Sequence, residues 1–498
     1  MAVETTMDIF GLNTITCLVL LAVFLLFLRH YITGLNLPPG PPRLPIIGSI
    51  PFMLGKDPAK ILAEWAEKHG YNTDIISVQL MGRTTIVLNS YEAMKELLHQ
   101  DVYSGRVTTF IGDMLGWTKY GIVSSQGEKW KQRRRLALST FRDLGMGKPL
   151  VEEKIQEEMI HLEAAIHQSL GKSFDIGPNI NNAVSNVISS IVFGQRHEYS
   201  DVMFQKFLAE CNNILARGGA DSITLNFPFL QWIPGDLFNV KEAVKSSFKV
   251  TQDFAGGHVK RHLNAANDNA IEEDDFVYQY ISQSRKRAPD DDTENVLMAA
   301  TTELFLAGTE TTTTTLRWAV LYMIQYPDIQ TRVREEILEN IGADQMPCMK
   351  HKSILPYTEA TIAEVQRLGN VAPLSVPHTL LEDTQLRGYH LPKGAMVIPN
   401  LYASNMNPKD WSNPDTFDPS RFLKDEKYFK KDMNIPFGIG KRVCLGESLA
   451  RMELFIFFTR LLQKFSFKDA SEGNCRDVGA VTGLTRMPAP YDIIVQSN

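Results

Sequence analysis

The stretch PFGIGKRVCLGESLARMELF, Pro436 to Phe455, sets one cysteine between two glycines and then turns into an apolar, helix-periodic run. The five cysteines (Cys17, Cys211, Cys348, Cys444, Cys475) are scattered and form no Cys-x-x-Cys pair, so cysteine-based zinc and iron–sulfur cages lack their ligands. A disulfide framework is not expected in a chain of 498 residues this poor in cysteine. A free cysteine is ordinarily a small buried hydrophobe, but the surroundings of Cys444 suit chemistry. Leu445, Leu449, Met452 and Phe455 recur at three and four, the spacing of a buried helix face. A sulfur at the start of such a helix meets unpaired N–H groups that favour the thiolate. Gly440 and Gly446 leave room for a bulky group, Phe437 can screen the sulfur from water, and Arg442 offers a cation to an anionic part of that group.

One thiolate, one cation, glycine clearance and an apolar screen suit a haem held by a single axial sulfur. Phe437-x-x-Gly440-x-Arg442-x-Cys444-x-Gly446 resembles the haem-binding signature of the cytochromes P450, a pattern of many positions. The elements that must position a second set of residues are then sought upstream. A helical pattern runs from about Thr293 to Tyr326, stopped by Pro327. Ala300, Leu304, Ala307, Gly308, Thr311 and Thr315 give it one small, apolar face with a hydroxyl at its centre. Gly308 and the threonine run have poor helix propensity, which makes room for a local opening. Taken alone, the run reads as a buried helix packed through hydroxyl back-bonds. AGTETT, Ala307 to Thr312, is however similar to the oxygen-activation segment of the P450s. That likeness implies Thr311 as the distal alcohol, Glu310 as its acidic neighbour in a proton relay, and Ala307 and Gly308 against the cofactor.

Glu364 and Arg367 in TEATIAEVQRLG are spaced i, i+3 and alone read as a weak surface ion pair of about 0.2–0.5 kcal/mol. The P450 resemblance makes them a buried structural triad with Arg421 of FDPSRF. Trp130 and Arg134 share a helix face in GEKWKQRRRLA. By the same resemblance they become haem-propionate ligands with Arg106, His378 and Arg442, and buried carboxylates do need such donors. Lys131 and Arg135 face another way and, with Lys441, are read as a basic docking patch for an electron donor.

The whole chain, 44% apolar and 22% charged, has an ordinary globular composition, and its formal charge of -6 excludes nucleic acid as an expected partner. The uncharged stretch from Ile9 to Leu28 is long enough to cross a bilayer. Acidic residues precede it and Arg29 and His30 follow, so it reads as an uncleaved anchor with the remainder on the cytoplasmic side. LPPGPPRLP, Leu37 to Pro45, reads as a stiff spacer holding the globular part off the membrane. The acidic stretch from Asn264 to Asn295 reads as solvated surface with loops. Strand signals appear only in short runs such as DIISVQLMGRTTIVLNS and TQLRGYHLPKGAMVIPN. The expected architecture is mainly α with small β-sheets: an anchor over 1–31, a hinge over 32–48 and one P450 domain over 49–498.

The resemblance covers nearly the whole chain, most closely the microsomal family-2 P450s of animals. It implies haem b, a Cys444 axial ligand and a monooxygenase of the endoplasmic reticulum membrane. Electrons would come from NADPH through NADPH-cytochrome P450 reductase, with cytochrome b5 as a further candidate donor, and the substrate with O2 would be a fatty acid, steroid or xenobiotic. A P450-type isomerase or synthase and a haem-based sensor are the alternatives. Substrate-contacting regions would map near 110–117, 207–215, 300–311, 371–376 and 484–487.

Overall fold

Five helices build the site: α1 (Gly127–Asp143), α2 (Gly177–Val192), α3 (Thr293–Gln325), α4 (Pro356–Gly369) and α5 (Glu447–Lys464). They are seen in a computed structural model that describes residues 16–18, 20, 21, 24, 25, 36–44, 47–68, 74–80, 82–145, 149–216, 235, 240–268, 275–287, 293–471 and 478–497. Helix α3 forms where expected because no proline interrupts it, and it ends where Tyr326 leaves helical geometry ahead of Pro327. Its β-branched threonines are tolerated because they are buried and bond back along the helix: Thr302 donates to the Met298 carbonyl at 2.8 Å, and Thr315 to that of Thr311 at 2.8 Å.

Helix α3 runs through the interior and packs on α2, α4 and α5. One large apolar core joins them, with Ile180 and Val184 of α2, Phe305 and Leu316 of α3, and Phe455 and Phe457 of α5 wholly or almost wholly buried. Each such side chain contributes about 1.5–3 kcal/mol relative to exposure.

The small sheets hold the other wall. In the five-stranded sheet β1 (Ile75–Leu80), β2 (Arg83–Leu88), β3 (Gly105–Arg106), β4 (His378–Thr379) and β5 (Met396–Pro399) lie in the order β1-β2-β5-β4-β3. Strands β2 and β5 are parallel and the other pairs antiparallel. The β3–β4 register sets Arg106 directly opposite His378, so residues 272 positions apart in the chain meet at one edge. The mainly helical architecture with small sheets is as the sequence implied.

The span from Ile9 to Leu28 lies mostly outside the described residues, among which no helix is long and apolar enough to cross a membrane. The proline-rich segment is not a free spacer at its start, because Pro38 accepts from the Ser77 hydroxyl and Pro39 from the Ser77 N–H at 2.9 Å. A Cβ on Gly40 would collide with the Ser77 carbonyl, so this stretch is closely docked on β1. The acidic stretch is not wholly solvated either. It contains the helix Phe276–Arg287, and Asp275 ahead of that helix is completely buried, 2.7 Å from His262 Nε2 and accepting from the Tyr278 N–H. A helix N-terminus needs an acceptor, and Asp275 supplies it.

Candidate functional site

Backbone bonds fold the Cys444 loop. Gly438 N–H donates to Ile435, Val443 N–H to Gly440, and Cys444 N–H to the Phe437 carbonyl at 3.0 Å. Gly440 has φ +82° and a Cβ there would strike the Leu98 carbonyl, to which neighbouring Lys441 N–H also donates at 3.0 Å. The clearance at Gly440 therefore serves the approach to Leu98 rather than space in the cavity. Gly446 does line the cavity, with nothing within 4 Å of where a Cβ would sit.

The Cys444 side chain is accessible, and what it faces is a cavity of about 290 Å³. Burial pushes its thiol pKa up, while the Gly446 N–H and the Arg134 guanidinium pull the other way. Burial thus outweighs the helix-end donors that the sequence offered, and a bound metal cation is what would reverse that balance. Phe437 also lines the cavity, its ring centroid 4.8 Å from the Arg451 guanidinium carbon.

Along one edge of the cavity stand Arg106, Arg134 and Arg442. Their donors go to carbonyls: Arg106 to Val376 at 2.9 Å, Arg134 to Val443, and Arg442 to Ser104 at 2.8 Å and Ser125 at 2.7 Å. No carboxylate among the described residues forms an ion pair with any of the three. Burial, with repulsion among them, lowers Arg106 to about 9 and Arg442 to about 8. Guanidinium groups keep their protons at neutral pH, so the cluster stores repulsion that an anion would relieve. Arg442 stacks 3.5 Å from the Trp130 ring centroid, and the buried Trp130 Nε1 has no hydrogen-bond partner among the described residues. His378 lies 2.7 Å from the Tyr103 carbonyl through Nδ1, and burial together with Arg106 lowers its pKa to about 3. That contact assigns the proton of the neutral ring to Nδ1 and leaves Nε2 a lone pair.

Another part of the wall is a stripe of α3. Leu304, Ala307, Gly308 and Thr311 line the cavity in a helix whose other flanks are buried. Thr311 donates to the Ala307 carbonyl at 2.8 Å and α3 is unbroken there, so the back-bonded geometry holds and the expected local opening is absent. A Cβ on Gly308 would come 2.7 Å from the Ile188 methyl, which ties this glycine to the packing of α2. Glu310 faces elsewhere, accepting from the hydroxyls of Thr314 and Thr485 at 3.2 Å each. Thr311 and Glu310 are thus neighbours in sequence whose side chains point to different surroundings.

Two carboxylates escaped the sequence reading. Glu303 accepts from three successive N–H groups, those of Ile122, Val123 and Ser124, at 2.6 to 3.0 Å. It thereby fixes the loop whose Val123 and Ser125 carbonyls hold Arg106 and Arg442. Glu453 of α5 lies in the cavity wall beside Thr312. The available signal was a lone acid within an apolar helical run in each case.

Glu364, Arg367 and Arg421 do come together. Arg367 grips Glu364 with two bonds of 2.7 Å, and Arg421 Nε donates to the same carboxylate at 3.2 Å. Lys131 and Lys441 also meet, at 3.7 and 3.3 Å from the two oxygens of Asp101, a counter-charge the docking patch was not expected to contain. Lys131 further pairs with Glu128, and Arg135 is exposed. Of the five substrate regions, residues of two line this cavity, from Leu304 to Thr311 and from Val371 to Val376. Phe207 instead stacks on Phe254 in the core.

A flat dianion with a central metal fits these residues: a thiol, three guanidiniums lacking carboxylates, an orphaned indole N–H and a wall of small side chains. Comparison with known proteins agrees. The cytochrome P450 family model matches residues 38–495. Cytochrome P450 2J1 of Oryctolagus cuniculus is 40% identical over 96% of this chain and 95% of its own. Cytochrome P450 2J2 of Homo sapiens is 40% identical over 87% and 86%, and cytochrome P450 2H1 of Gallus gallus 36% identical over 98% and 99%. The thiol-lined cavity and the match over nearly the full length lead to one conclusion: the chain belongs to the cytochrome P450 family and is a monooxygenase.

Proposed function

We propose that this monooxygenase inserts one oxygen atom of O2 into a lipophilic substrate, a fatty acid, steroid or xenobiotic, with electrons from NADPH passed on by NADPH-cytochrome P450 reductase. The observation that carries the reading is a cavity walled by apolar side chains, with one free thiol on one wall and a cationic edge. Haem bound through Cys444 would supply thiolate-iron chemistry, in which sulfur donation favours O–O cleavage. Arg106, Arg134, Arg442 and Trp130 would hold its propionates, and His378 would join them once an anion raises its pKa. Phe437 and Gly446, near Cys444 in the chain, and Ala307 and Gly308 of α3 would also contact the haem. The apolar walls exclude water and strengthen every charge interaction within. Thr311 holds a proton on Oγ1 at the cavity wall, and Glu310 is its acidic neighbour, which joins the relay by turning from the Thr314 and Thr485 hydroxyls that it accepts from.

Reconstitution of the full chain with the reductase, NADPH and a panel of lipids and steroids tests the reading. Product should form, and Thr311→Ala should bind haem normally yet send more of the NADPH into hydrogen peroxide, with product formation down about tenfold or more. An unchanged partition would remove Thr311 from the mechanism.

The segment over 9–28 is proposed as the anchor in the endoplasmic reticulum membrane, with residues 49–498 on the cytoplasmic side and 32–48 joining them. Lys131, Arg135 and Lys441 are proposed to meet an acidic reductase surface, weakened by Asp101 between two of them. Reversing Lys131 and Arg135 to glutamate should slow haem reduction about tenfold at low salt and less at physiological salt. Peroxide-driven turnover should persist, and a parallel fall in both activities would make the patch structural.

A further inference from the structure

Glu453 is a carboxyl that the reading above leaves without a task. It is 1% exposed and sits between Met452 and Leu454 in a buried stretch of α5. The Thr312 hydroxyl donates to its Oε2 at 3.2 Å, and its buried Oε1 has no hydrogen-bond partner among the described residues. Other buried glutamates are compensated: Glu303 by three N–H groups, Glu310 by two hydroxyls, Glu364 by two guanidiniums. No lysine, arginine or histidine among the described residues forms an ion pair with Glu453. A buried carboxylate without cation or N–H donors is costly, and an apolar side chain of similar size would pack there at less expense in free energy. The group is therefore expected to be neutral, and burial, opposed only by the Thr312 hydroxyl, does push its pKa up to about 8.

Both members of this pair line the cavity. Thr312 is the residue after Thr311, about 100° further round α3, and turns toward α5. We infer that Glu453 and Thr312 form a second acid–alcohol pair, in which the carboxylic acid stores a proton and passes it through the Thr312 hydroxyl into the cavity. The inference rests on the monooxygenase reading, because each turnover of O2 to product and water consumes two protons with two electrons from the reductant. In the transfer the Thr312 hydroxyl, which donates to Oε2 at rest, first rotates its proton toward the cavity; Glu453 then gives its proton to Oγ1 while the hydroxyl's own proton moves on. The carboxylate left behind is reprotonated from water entering between turnovers. Glu453 acts through Thr312 and is a positioning and proton-holding residue, not one that touches the reacting atoms.

The test has a readout independent of turnover. Infrared spectra of the full-length haem-loaded protein at neutral pH should show a deuterium-sensitive carboxylic C=O band that Glu453→Gln removes. Thr312→Val should keep that band and move it to higher frequency, because one hydrogen bond is lost. In reductase-driven assays Glu453→Gln should raise the peroxide share of NADPH consumption, and the Thr311→Ala/Glu453→Gln double variant should exceed either single one. Absence of a band lost in Glu453→Gln overturns the stored proton, and wild-type coupling in Glu453→Gln overturns the relay. Should Glu453→Gln fail to fold, Thr312→Val decides, and an unmoved band or unchanged coupling there overturns the pair. Failure of the wild type to form product while the band is present would instead count against the monooxygenase reading and leave the stored proton standing.

Discussion

Cys444→Ser should abolish the red-shifted Soret band of the reduced carbon monoxide adduct and all NADPH-driven product formation, while far-UV circular dichroism stays native. The loss is expected to be complete because serine offers a hard, weakly donating oxygen where iron requires a polarisable thiolate. The fold is expected to survive because the loop does not depend on the sulfur. Its shape is set by backbone bonds from Gly438, Lys441, Val443 and Cys444, all made by main-chain atoms. The arginine edge is likewise tied to carbonyls, and Trp130 is stacked beneath Arg442, so a macrocycle can still be held at its carboxylates. Residual haem absorbance without the thiolate signature is therefore the anticipated phenotype. A thiolate spectrum in the serine variant would mean that the ligand is some other sulfur.

Features that residue types and spacing alone disclosed are those whose partners lie within one turn or one loop. Longer-range groupings such as Arg421 with Glu364 and Arg106 with His378 came only through the family resemblance. The spacing from Phe437 to Gly446 and the face from Leu304 to Thr311 are local geometry, so residue types at fixed offsets suffice to define them. The helix bounds were legible for the same reason, since Pro327 stops α3 whatever packs around it. What stayed hidden depends on long-range placement. Glu303 meets the N–H groups of residues 122–124 about 180 positions away, and Glu453 meets Thr312 across 141. Neither offset carries a pattern. Gly440 shows the mixed case, in which the need for glycine was visible but not its cause, because Leu98 reaches it from another part of the chain. Docking of Pro38 and Pro39 on Ser77 was hidden for the same reason: a proline run predicts stiffness and says nothing of what it leans on.

Glu364 shows how far a weak local pattern can understate an interaction. As an exposed i, i+3 pair it would contribute a few tenths of a kcal/mol, but Glu364 and Arg367 are both completely buried. Arg367 also donates to the Asn405 and Thr416 carbonyls, and Arg421 to those of Ser412, Asn413 and Thr416, so the triad ties α4 to the chain between Asn405 and Phe422. Replacing Glu364 by Gln keeps the shape but removes the charge, and the amide nitrogen would then face a guanidinium donor. Breaking a buried pair costs about 3–5 kcal/mol because the remaining charge is uncompensated. That is a large part of the roughly 5–15 kcal/mol by which proteins are stable. Glu364→Gln should therefore lower the urea midpoint substantially and yield little haem-loaded protein, losing circular dichroism and haem together where Cys444→Ser loses only the thiolate signature. Exchanging the pair, Glu364→Arg with Arg367→Glu, should not restore stability, because the carbonyls of Asn405 and Thr416 accept only from a donor at position 367. A wild-type urea midpoint in Glu364→Gln would show that the fold does not depend on this charge.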